Sequence, residues 1–231
     1  MKIKLIALLL LGAGAVSVGL IRTASTVQKQ HPPYKDRLKW YAKEAKSEGR
    51  KKVTIPADVV EYLGSAGTIT SEQAFVSSGV VLAHVVAAQS YPRNDYIVTW
   101  NKFVIDEVLS QARELPCTNC APSDPPSTFL PLQSEEFLIM KRGGRVNIDG
   151  VEIEQTDAAF PEYELNQTYI LLLVLEPSGL AWTLGGPVGV FRVVNKDELV
   201  PVRESDHRIH KDFKEKYRSS LRVLKNHLKQ K

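Results

Sequence analysis

The sequence contains few of the residues that carry enzyme chemistry. Two of its 231 residues are cysteines and five are histidines. Two cysteines exclude a zinc site built from four thiolates and a disulfide-dense scaffold. Between residues 76 and 202 the one histidine is His84, and neither a Gly-x-Ser-x-Gly motif nor a Gly-Lys-Ser/Thr phosphate loop occurs. We therefore expect a non-enzymatic protein without catalytic residues, cofactor or bound metal.

The formal charge of +4 is unevenly distributed. Residues 28–52 hold nine basic and three acidic side chains, and residues 203–231 hold ten and four, so that each arm carries +6. The stretch 53–202 between them carries −11. Such asymmetry predicts that the arms dock on the acidic body, on an unknown partner protein, on an anionic membrane surface, or on a second copy of the chain. Nucleic acid is not expected as a partner, because the acidic body repels phosphates.

The N-terminus is typical of exported proteins. Lys2 and Lys4 precede an apolar run from Leu5 to Ile21 that passes into small residues. This order predicts a signal peptide over residues 1–25, or an anchor in the inner membrane formed by residues 5–21. Both interpretations place the rest of the chain outside the cytoplasm, in the periplasm or the medium.

That location decides how the cysteines are interpreted. Cys117 and Cys120 lie in a proline-rich loop, residues 113–133, with Pro116 before them. Zinc needs a second pair of ligands, and haem attachment needs a histidine after Cys120, where Ala121 stands instead. In an oxidising compartment the pair predicts a small structural disulfide, with redox chemistry, a metal site or free thiols as the alternatives.

Residues 76–202 have the pattern of short strands joined by turns. Alternating apolar residues on either side of Asp149-Gly150 predict a tight hairpin, and a change of phase at Asn101-Lys102 predicts a β-bulge. No helical crossover separates the strands. The pattern therefore predicts a mainly β fold, an antiparallel OB-like barrel or a small sandwich, flanked by N-terminal and C-terminal amphipathic helices.

Both flanking segments are basic and helical in pattern. Residues 28–75 contain helical spacing over 34–48 and 56–63, and Thr70 to Gln73 fits a capping box. Residues 203–231 predict one basic amphipathic helix. The apolar stripe of that helix is a candidate interaction surface, formed by Ile209, Phe213, Tyr217, Leu221, Leu224 and Leu228.

Three strand segments carry a resemblance to a known class of proteins. They are T-W-N-K-F-V-I-D-E-V-L at 99–109, N-Q-T-Y-I-L-L-L-V-L at 166–175 and G-G-P-V-G-V-F-R-V at 185–193. Over about residues 76–195 the chain resembles uncharacterised bacterial exported β-domain proteins, which are similar in layout to OB-like netrin and metalloproteinase-inhibitor modules. The resemblance implies fold and export. It does not imply inhibition, because the N-terminal cysteine that such inhibitors use is lacking.

Isolated polar groups have less specific interpretations. Carboxylates recur in pairs at Asp106/Glu107, Glu135/Glu136, Glu152/Glu154 and Glu162/Glu164, and the two pairs spaced i, i+2 would each share one strand face. Solvated strand faces explain them best, as solvated helix positions explain His207 and His210. The run from Lys141 to Arg145 offers cations and amides to an anion, but is typical of an exposed turn.

Three functions follow as hypotheses. The first is an exported non-enzymatic β-barrel that serves as a binding or envelope-associated module of unknown ligand. The second is an extracytoplasmic hydrolase that depends on carboxylates or a divalent ion. The third is a membrane-surface protein attached through its basic helix.

Overall fold

Ten strands and four α-helices are described in the computed structural model. The description covers residues 36–56, 68–93, 95–111, 125–157, 160–176 and 178–230. The predicted signal or anchor over 1–25 lies outside the described residues, as do Cys117 and Cys120 and all but the first residue of the helix predicted over 56–63. The signal and the disulfide therefore stay predictions.

The described elements belong to one compact unit, Pro32–Lys231. The helices are α1 (Arg37–Ser47), α2 (Ser71–Ser77), α3 (Arg208–Glu215) and α4 (Leu221–Leu228). The strands are β1 (Lys52–Pro56), β2 (Gly79–Pro92), β3 (Ile97–Ser110), β4 (Glu136–Arg142), β5 (Gly144–Ile148), β6 (Val151–Thr156), β7 (Thr168–Leu175), β8 (Leu180–Thr183), β9 (Val190–Val194) and β10 (Glu198–Pro201). Within the described ranges no helix is long and apolar enough to cross a membrane.

Five of the strands close into a barrel. Strand β7 pairs with β2, β2 with β3, β3 with β4, β4 with β8, and β8 returns to β7. The β4–β8 pair is parallel and the other four pairs are antiparallel. Strands β9 and β10 extend the sheet outward from β7. The mainly β prediction is confirmed, and a closed barrel flanked by helices is the OB-like alternative rather than the sandwich.

Alternate residues of the barrel strands form a buried cluster in its interior. Phe103 and Phe137 stack with ring centres 5.2 Å apart, and the ring of Tyr163 meets Phe103 edge-on at 5.0 Å. The middle of the barrel is therefore filled with packed side chains. The buried members of the cluster are Val81, Ala83, Val85, Phe103, Phe137, Ile139, Phe160, Tyr163, Tyr169, Leu171, Leu173, Ala181 and Val190.

At Asn101-Lys102, where the sequence predicts a bulge in β3, the extra residue lies in the neighbouring strand, whereas β3 carries extra residues further along, at Asp106 and Leu109. Val85 pairs with Phe103 and Ala87 with Lys102, so that Val86 is the extra residue, in β2. The prediction was wrong about the strand because β3 is buried on both faces near its start. Trp100 packs on the outer side with Phe129 and Leu138, which makes both phases of the strand apolar.

A second sheet of three strands, in the order β1-β6-β5, packs under α1. The predicted hairpin is confirmed: β5 and β6 are antiparallel, and Asp149 and Gly150 between them have φ of 52° and 84°. Helix α1 lies within the predicted 34–48 span and buries Leu38 and Ala45 against this sheet. The core of the second sheet is therefore separate from the barrel interior.

The segment 28–75 is less helical than predicted. The capping box is confirmed, because Thr70 Oγ1 accepts from the backbone amide of Gln73 while Gln73 Oε1 accepts from the backbone amide of Thr70. Between the helices, however, Lys52–Pro56 forms β1 and pairs in parallel with β6. A strand this short has no period of its own, and it forms only because β6 offers an open edge.

The predicted single C-terminal helix is two helices. Helix α3 ends at Glu215 and α4 starts after Ser220, whose hydroxyl accepts from the Val223 amide as an N-cap. Arg218 and Ser219 between them have positive φ, which no α-helix accommodates. The break lets the Ser219 carbonyl accept a hydrogen bond from the Leu199 amide in β10 at 2.7 Å. Pairing with the sheet thus outweighs helix continuity.

The stripe treated above as a candidate interaction surface lies in the core. It packs on the outside of the barrel against β7, β9 and α2, where Phe213 stacks on Phe191 with centres 3.9 Å apart. A lipid bilayer or a partner protein can reach this stripe only if the helices detach from the barrel. The residues concerned are Ile209, Phe213, Tyr217, Leu221 and Leu224, which are buried, and Leu228, which is half-buried.

Buried Asp212 joins the C-terminal helices to α2. Its Oδ2 accepts from the backbone amide of Ser71 at 2.8 Å and from the Ser71 hydroxyl at 3.0 Å. Arg208 and Lys216, one turn before and after, approach its two oxygens at 3.2 and 3.4 Å. Burial alone would raise the pKa of Asp212, but the hydrogen bonds from Ser71 and the charge of Lys216 outweigh burial and hold that pKa below its ordinary value. Asp212 is therefore a carboxylate at neutral pH.

We expect Asp212→Asn to lower the free energy of unfolding by about 2 kcal/mol at pH 7, because a neutral amide replaces a buried charged acceptor of two hydrogen bonds. The folded-state pKa of Asp212 lies below the unfolded one. Its contribution is therefore present above about pH 4 and is lost as the pH falls through the folded-state value. Urea unfolding between pH 7 and pH 3 measures this difference.

The exposed Asp206 on the same segment supplies the control, and Asp206→Asn should change stability little. The stability gap between Asp212→Asn and the native chain should narrow toward pH 3. A gap of the same size at both pH values would show that Asp212 does not act through its charge.

Candidate functional site

His84 has an acidic partner that the sequence pattern did not indicate. Its Nδ1 lies 2.8 Å from Oδ1 of Asp106 on the neighbouring strand, and about a third of each side chain is exposed. Ala83 and Val85 on either side point into the barrel, so His84 points outward. The two residues form a cross-strand polar pair on the barrel surface.

At least one member of each predicted carboxylate pair forms a salt bridge with a lysine or arginine. Glu154 accepts from Lys52 at 2.9 Å and from Arg145 at 2.8 Å, and these hydrogen bonds lower the pKa of Glu154. An acid of this kind stays ionised and is a poor proton donor near pH 7. Over the described ranges no three His, Cys, Asp or Glu side chains stand close enough to hold a metal ion. Further ion pairs join Glu136 to Lys102, Glu107 to Lys225 and Glu164 to Arg192.

His207 and His210 do not form a paired site. The ring nitrogens of His210 lie 2.8 Å from the Ser205 hydroxyl and 3.1 Å from the Val188 carbonyl oxygen. Burial lowers the pKa of His210, which favours the neutral ring. With both nitrogens occupied, His210 serves to pack α3 on the turn before β9.

One end of the barrel interior is polar. Thr99 and Asn101 share the inward face of β3 with Phe103, and Lys141 follows Phe137 and Ile139 on the inward face of β4. These side chains line a cavity of about 170 Å³. Among the described residues the lining is Ala88, Ser90, Thr99, Asn101, Lys141, Arg145, Glu162 and Tyr163, and we call this cavity the barrel-end pocket.

Lys141 is the most unusual residue of the barrel-end pocket, because only 5% of it is exposed. Its Nζ donates to two carbonyl oxygens, of Phe160 at 3.3 Å and of Arg142 at 3.4 Å. Burial lowers the pKa of Lys141, and the nearest acids, Glu162 and Asp157, offset this only in part. No carboxylate of the described residues forms a salt bridge with Lys141. Its ammonium is therefore poorly compensated.

Lys141 also lines a second cavity. It has about 220 Å³ and is lined mainly by apolar side chains such as Met140 and Trp182. Strand β8 pairs with β4 only at Leu138 and Ile139, so the ladder between these strands does not extend to Lys141.

Asn101 supplies hydrogen-bonding capacity inside the barrel-end pocket. It is 1% exposed, and its Nδ2 makes only long contacts of 3.4 Å, to the carbonyl oxygens of Thr99 and Ile139. The Thr99 hydroxyl, by contrast, is satisfied: it donates to the Gly143 carbonyl at 2.6 Å and lies 2.8 Å from the Ser90 hydroxyl. Asn101 and Lys141 are thus two buried side chains of the lining whose donors make only long hydrogen bonds.

The run from Lys141 to Arg145 is not the exposed turn that its composition favours. Gly143 and Gly144 are buried, and the Gly143 amide donates to the Ile97 carbonyl at 2.8 Å. A Cβ on Gly144 would lie 2.2 Å from Thr99 Oγ1 and 2.3 Å from Ser90 Oγ. Glycine at position 144 therefore lets the backbone pass close to Thr99 and Ser90 in the pocket wall. The backbone amides of residues 141–145 are not a separate anion site.

The sequence contains a signal for this site that composition alone hides. Lys141 continues the inward phase of Phe137 and Ile139, and Asn101 continues that of Phe103. A polar residue in the apolar phase of a strand breaks the pattern, and such breaks are expected at functional or strained positions.

Comparison with known proteins adds no assignment, because no protein-family model and no curated protein matches the chain. Any functional proposal must therefore rest on the sequence and on the geometry of the barrel.

We expect Lys141→Met to raise the melting temperature at pH 7, because methionine keeps much of the side-chain volume and removes a buried charge. The folded-state pKa of Lys141 lies below its ordinary value of 10.5. The unfavourable contribution of the ammonium is complete below the folded-state pKa and fades as the pH rises toward 10.5. The rise should be about 2–4 °C for each kcal/mol regained, and it should shrink near pH 10.

Lys102→Met is the matched control, since Lys102 Nζ pairs with Glu136 at 2.7 Å in the same barrel. That change should leave the melting temperature unchanged or lower it. A fall in melting temperature for Lys141→Met at pH 7, unaltered at pH 10, would contradict an unfavourable buried charge.

Proposed function

We propose that this chain is an exported, non-enzymatic binding module that holds a small ligand in the barrel-end pocket. The observation that carries the proposal is the meeting of Lys141 and Asn101, both buried and both incompletely satisfied, at a cavity in the barrel end. Binding sites typically combine a preformed cavity with a few convergent polar groups.

The scaffold around the barrel-end pocket supports this function. Thr99 and Lys141 are direct partners in the β3–β4 ladder, and Asn101 stands two positions along the same face. Strands hold side chains more exactly than loops do, so the polar groups are in place before a ligand arrives. A buried lysine that lowers stability is the kind of feature retained when a site needs it.

We propose a non-enzymatic function because the reactive side chains are used in structural contacts. His84 is paired with Asp106 at the barrel surface, and His210 uses both ring nitrogens in packing. Glu136 and Glu154 have lowered pKa values through their hydrogen bonds with cations. His84 and Glu136 thus belong to polar contacts on the barrel, Glu154 to ion pairs of the second sheet, and His210 to the packing of α3.

Export is proposed from Lys2, Lys4 and the apolar run of residues 5–21. A reporter enzyme that is active only outside the cytoplasm, fused to the C-terminus of the full chain, should show activity. Replacing Leu9 and Leu10 together by Asp should abolish it, because charges in the apolar run prevent membrane insertion. Equal activity from both fusions would contradict export through this segment.

Binding is tested on the full chain with four probes: sodium propanoate, inorganic phosphate, glucose and trimethylammonium. At least one should move the NMR signal of the Asn101 side-chain amide at millimolar concentration. Binding of that probe should also raise the melting temperature. Asn101→Leu should abolish this rise, while Asn226→Leu on the exposed face of α4 should keep it. If no probe moves the Asn101 signal, the barrel-end pocket is not a binding site.

A further inference from the structure

The buried ammonium of Lys141 has no salt bridge to a carboxylate of the described residues. Lys141 contributes a buried cation, while the one carboxylate in the lining belongs to Glu162, which is exposed. Arg145, the other cation, is engaged with Glu154 at 2.8 Å. Buried charges in proteins are normally paired, because an uncompensated ion in a medium of low polarity is strongly unfavourable. Glu162 and Asp157 attract the Lys141 ammonium without forming a salt bridge with it, so this ammonium has no paired carboxylate among the described residues.

We propose that the barrel-end pocket binds the carboxylate of a small monocarboxylic acid, with Lys141 Nζ as its counter-ion and the Asn101 amide as a second donor. This inference rests on the proposed function, and it names the class of ligand. The ligand carboxylate supplies the salt-bridge partner that Lys141 lacks among the described residues. A carboxylate paired with an ammonium makes the short, charge-assisted hydrogen bonds that the carbonyl contacts of Lys141 do not provide.

The size of the cavity limits the ligand. A volume of about 170 Å³ holds about five or six non-hydrogen groups, if each takes the roughly 30 Å³ of a water molecule in the liquid. Propanoate and butanoate have this size. Drug-sized ligands need about 300 Å³ or more.

The charge of the cavity separates carboxylates from phosphates of similar size. Inorganic phosphate carries between one and two negative charges at neutral pH, and Lys141 offers one buried positive charge. The excess charge would remain buried and would face Glu162 at the rim. A monoanion matches the pocket and a dianion does not.

The register of the barrel makes joint action of the two donors feasible. Thr99 stands opposite Lys141 and Asn101 opposite Ile139, so Asn101 and Lys141 are diagonal neighbours on the inward face. Diagonal neighbours in antiparallel strands lie about 7–8 Å apart, which leaves room for one carboxylate between an amide and a lysine ammonium.

Binding should be linked to protonation of Lys141. A carboxylate beside the ammonium favours its charged form, so binding raises the pKa of Lys141 that burial lowers. Affinity should therefore fall as the pH rises through the pKa of Lys141 in the free protein. A lysine that serves only to hold the Phe160 carbonyl would produce no such linkage.

The test uses the full chain with sodium propanoate, its neutral isostere propanamide, and inorganic phosphate, followed by the NMR shift of the Asn101 side-chain amide. Propanoate should bind at least tenfold more tightly than either of the others, and its affinity should weaken between pH 7 and pH 10. Lys141→Met should reduce propanoate affinity at least tenfold, while Lys102→Met should not change it.

Asn101→Asp provides a second variant that does not depend on removing the lysine. It places a carboxylate of nearly the same shape within reach of Lys141, which should raise the melting temperature and abolish propanoate binding. Because this variant lacks the Asn101 amide, its propanoate binding is followed by the change in melting temperature on adding propanoate. Retention of propanoate binding in Lys141→Met or Asn101→Asp would overturn the inference.

The outcomes separate this inference from the proposed function. If propanamide or glucose binds as well as propanoate and moves the Asn101 signal, the pocket is a binding site for neutral ligands and the carboxylate assignment is wrong. Tighter binding of phosphate also overturns it. If no probe binds, both proposals fail.

Discussion

Closure of the barrel by the four-residue strand β8 is the constraint on which the rest of the structure depends. This strand pairs with β7 on one side and with β4 on the other, where it reaches only Leu138 and Ile139. The pairing of β8 with β4 ends at Ile139, although β8 itself continues beside β7 to Thr183, and the apolar interior ends at this level. Lys141 is the next inward residue of β4, so a short closing strand and a polar barrel end have the same origin.

The flanking helices depend on the barrel in turn. The apolar stripe of α3 and α4 has no partner until β7 and β9 present their outer faces, and the shortest hydrogen bonds of Asp212 form only where α2 starts at Ser71. Burial of Phe213 against Phe191 contributes on the order of 2 kcal/mol, the usual value for a large apolar side chain. The basic residues that remain outside are a consequence of this docking, since the opposite side of each helix must face solvent.

Prediction from sequence succeeded where the signal is local. The Asp149-Gly150 hairpin and the Thr70 capping box each depend on residues within four positions of one another, and both are confirmed. Prediction failed where a residue far away in the sequence determines the local structure. Strand β1 forms because β6 has an open edge, and α3 ends because the Leu199 amide donates to the Ser219 carbonyl. The bulge was assigned to the wrong strand for the same reason, since a register shift belongs to a pair of strands.

The sequence by itself determined the class of the fold and the distribution of charge, because strand periodicity and side-chain ionisation are properties of neighbouring residues. Only the tertiary structure decided which polar residues matter. Lys141 and Asn101 are 40 positions apart and unremarkable in composition, yet the β3–β4 register places them at one cavity. Desolvation of Lys141 arises from elements far apart in the chain, and no pattern within one segment records it.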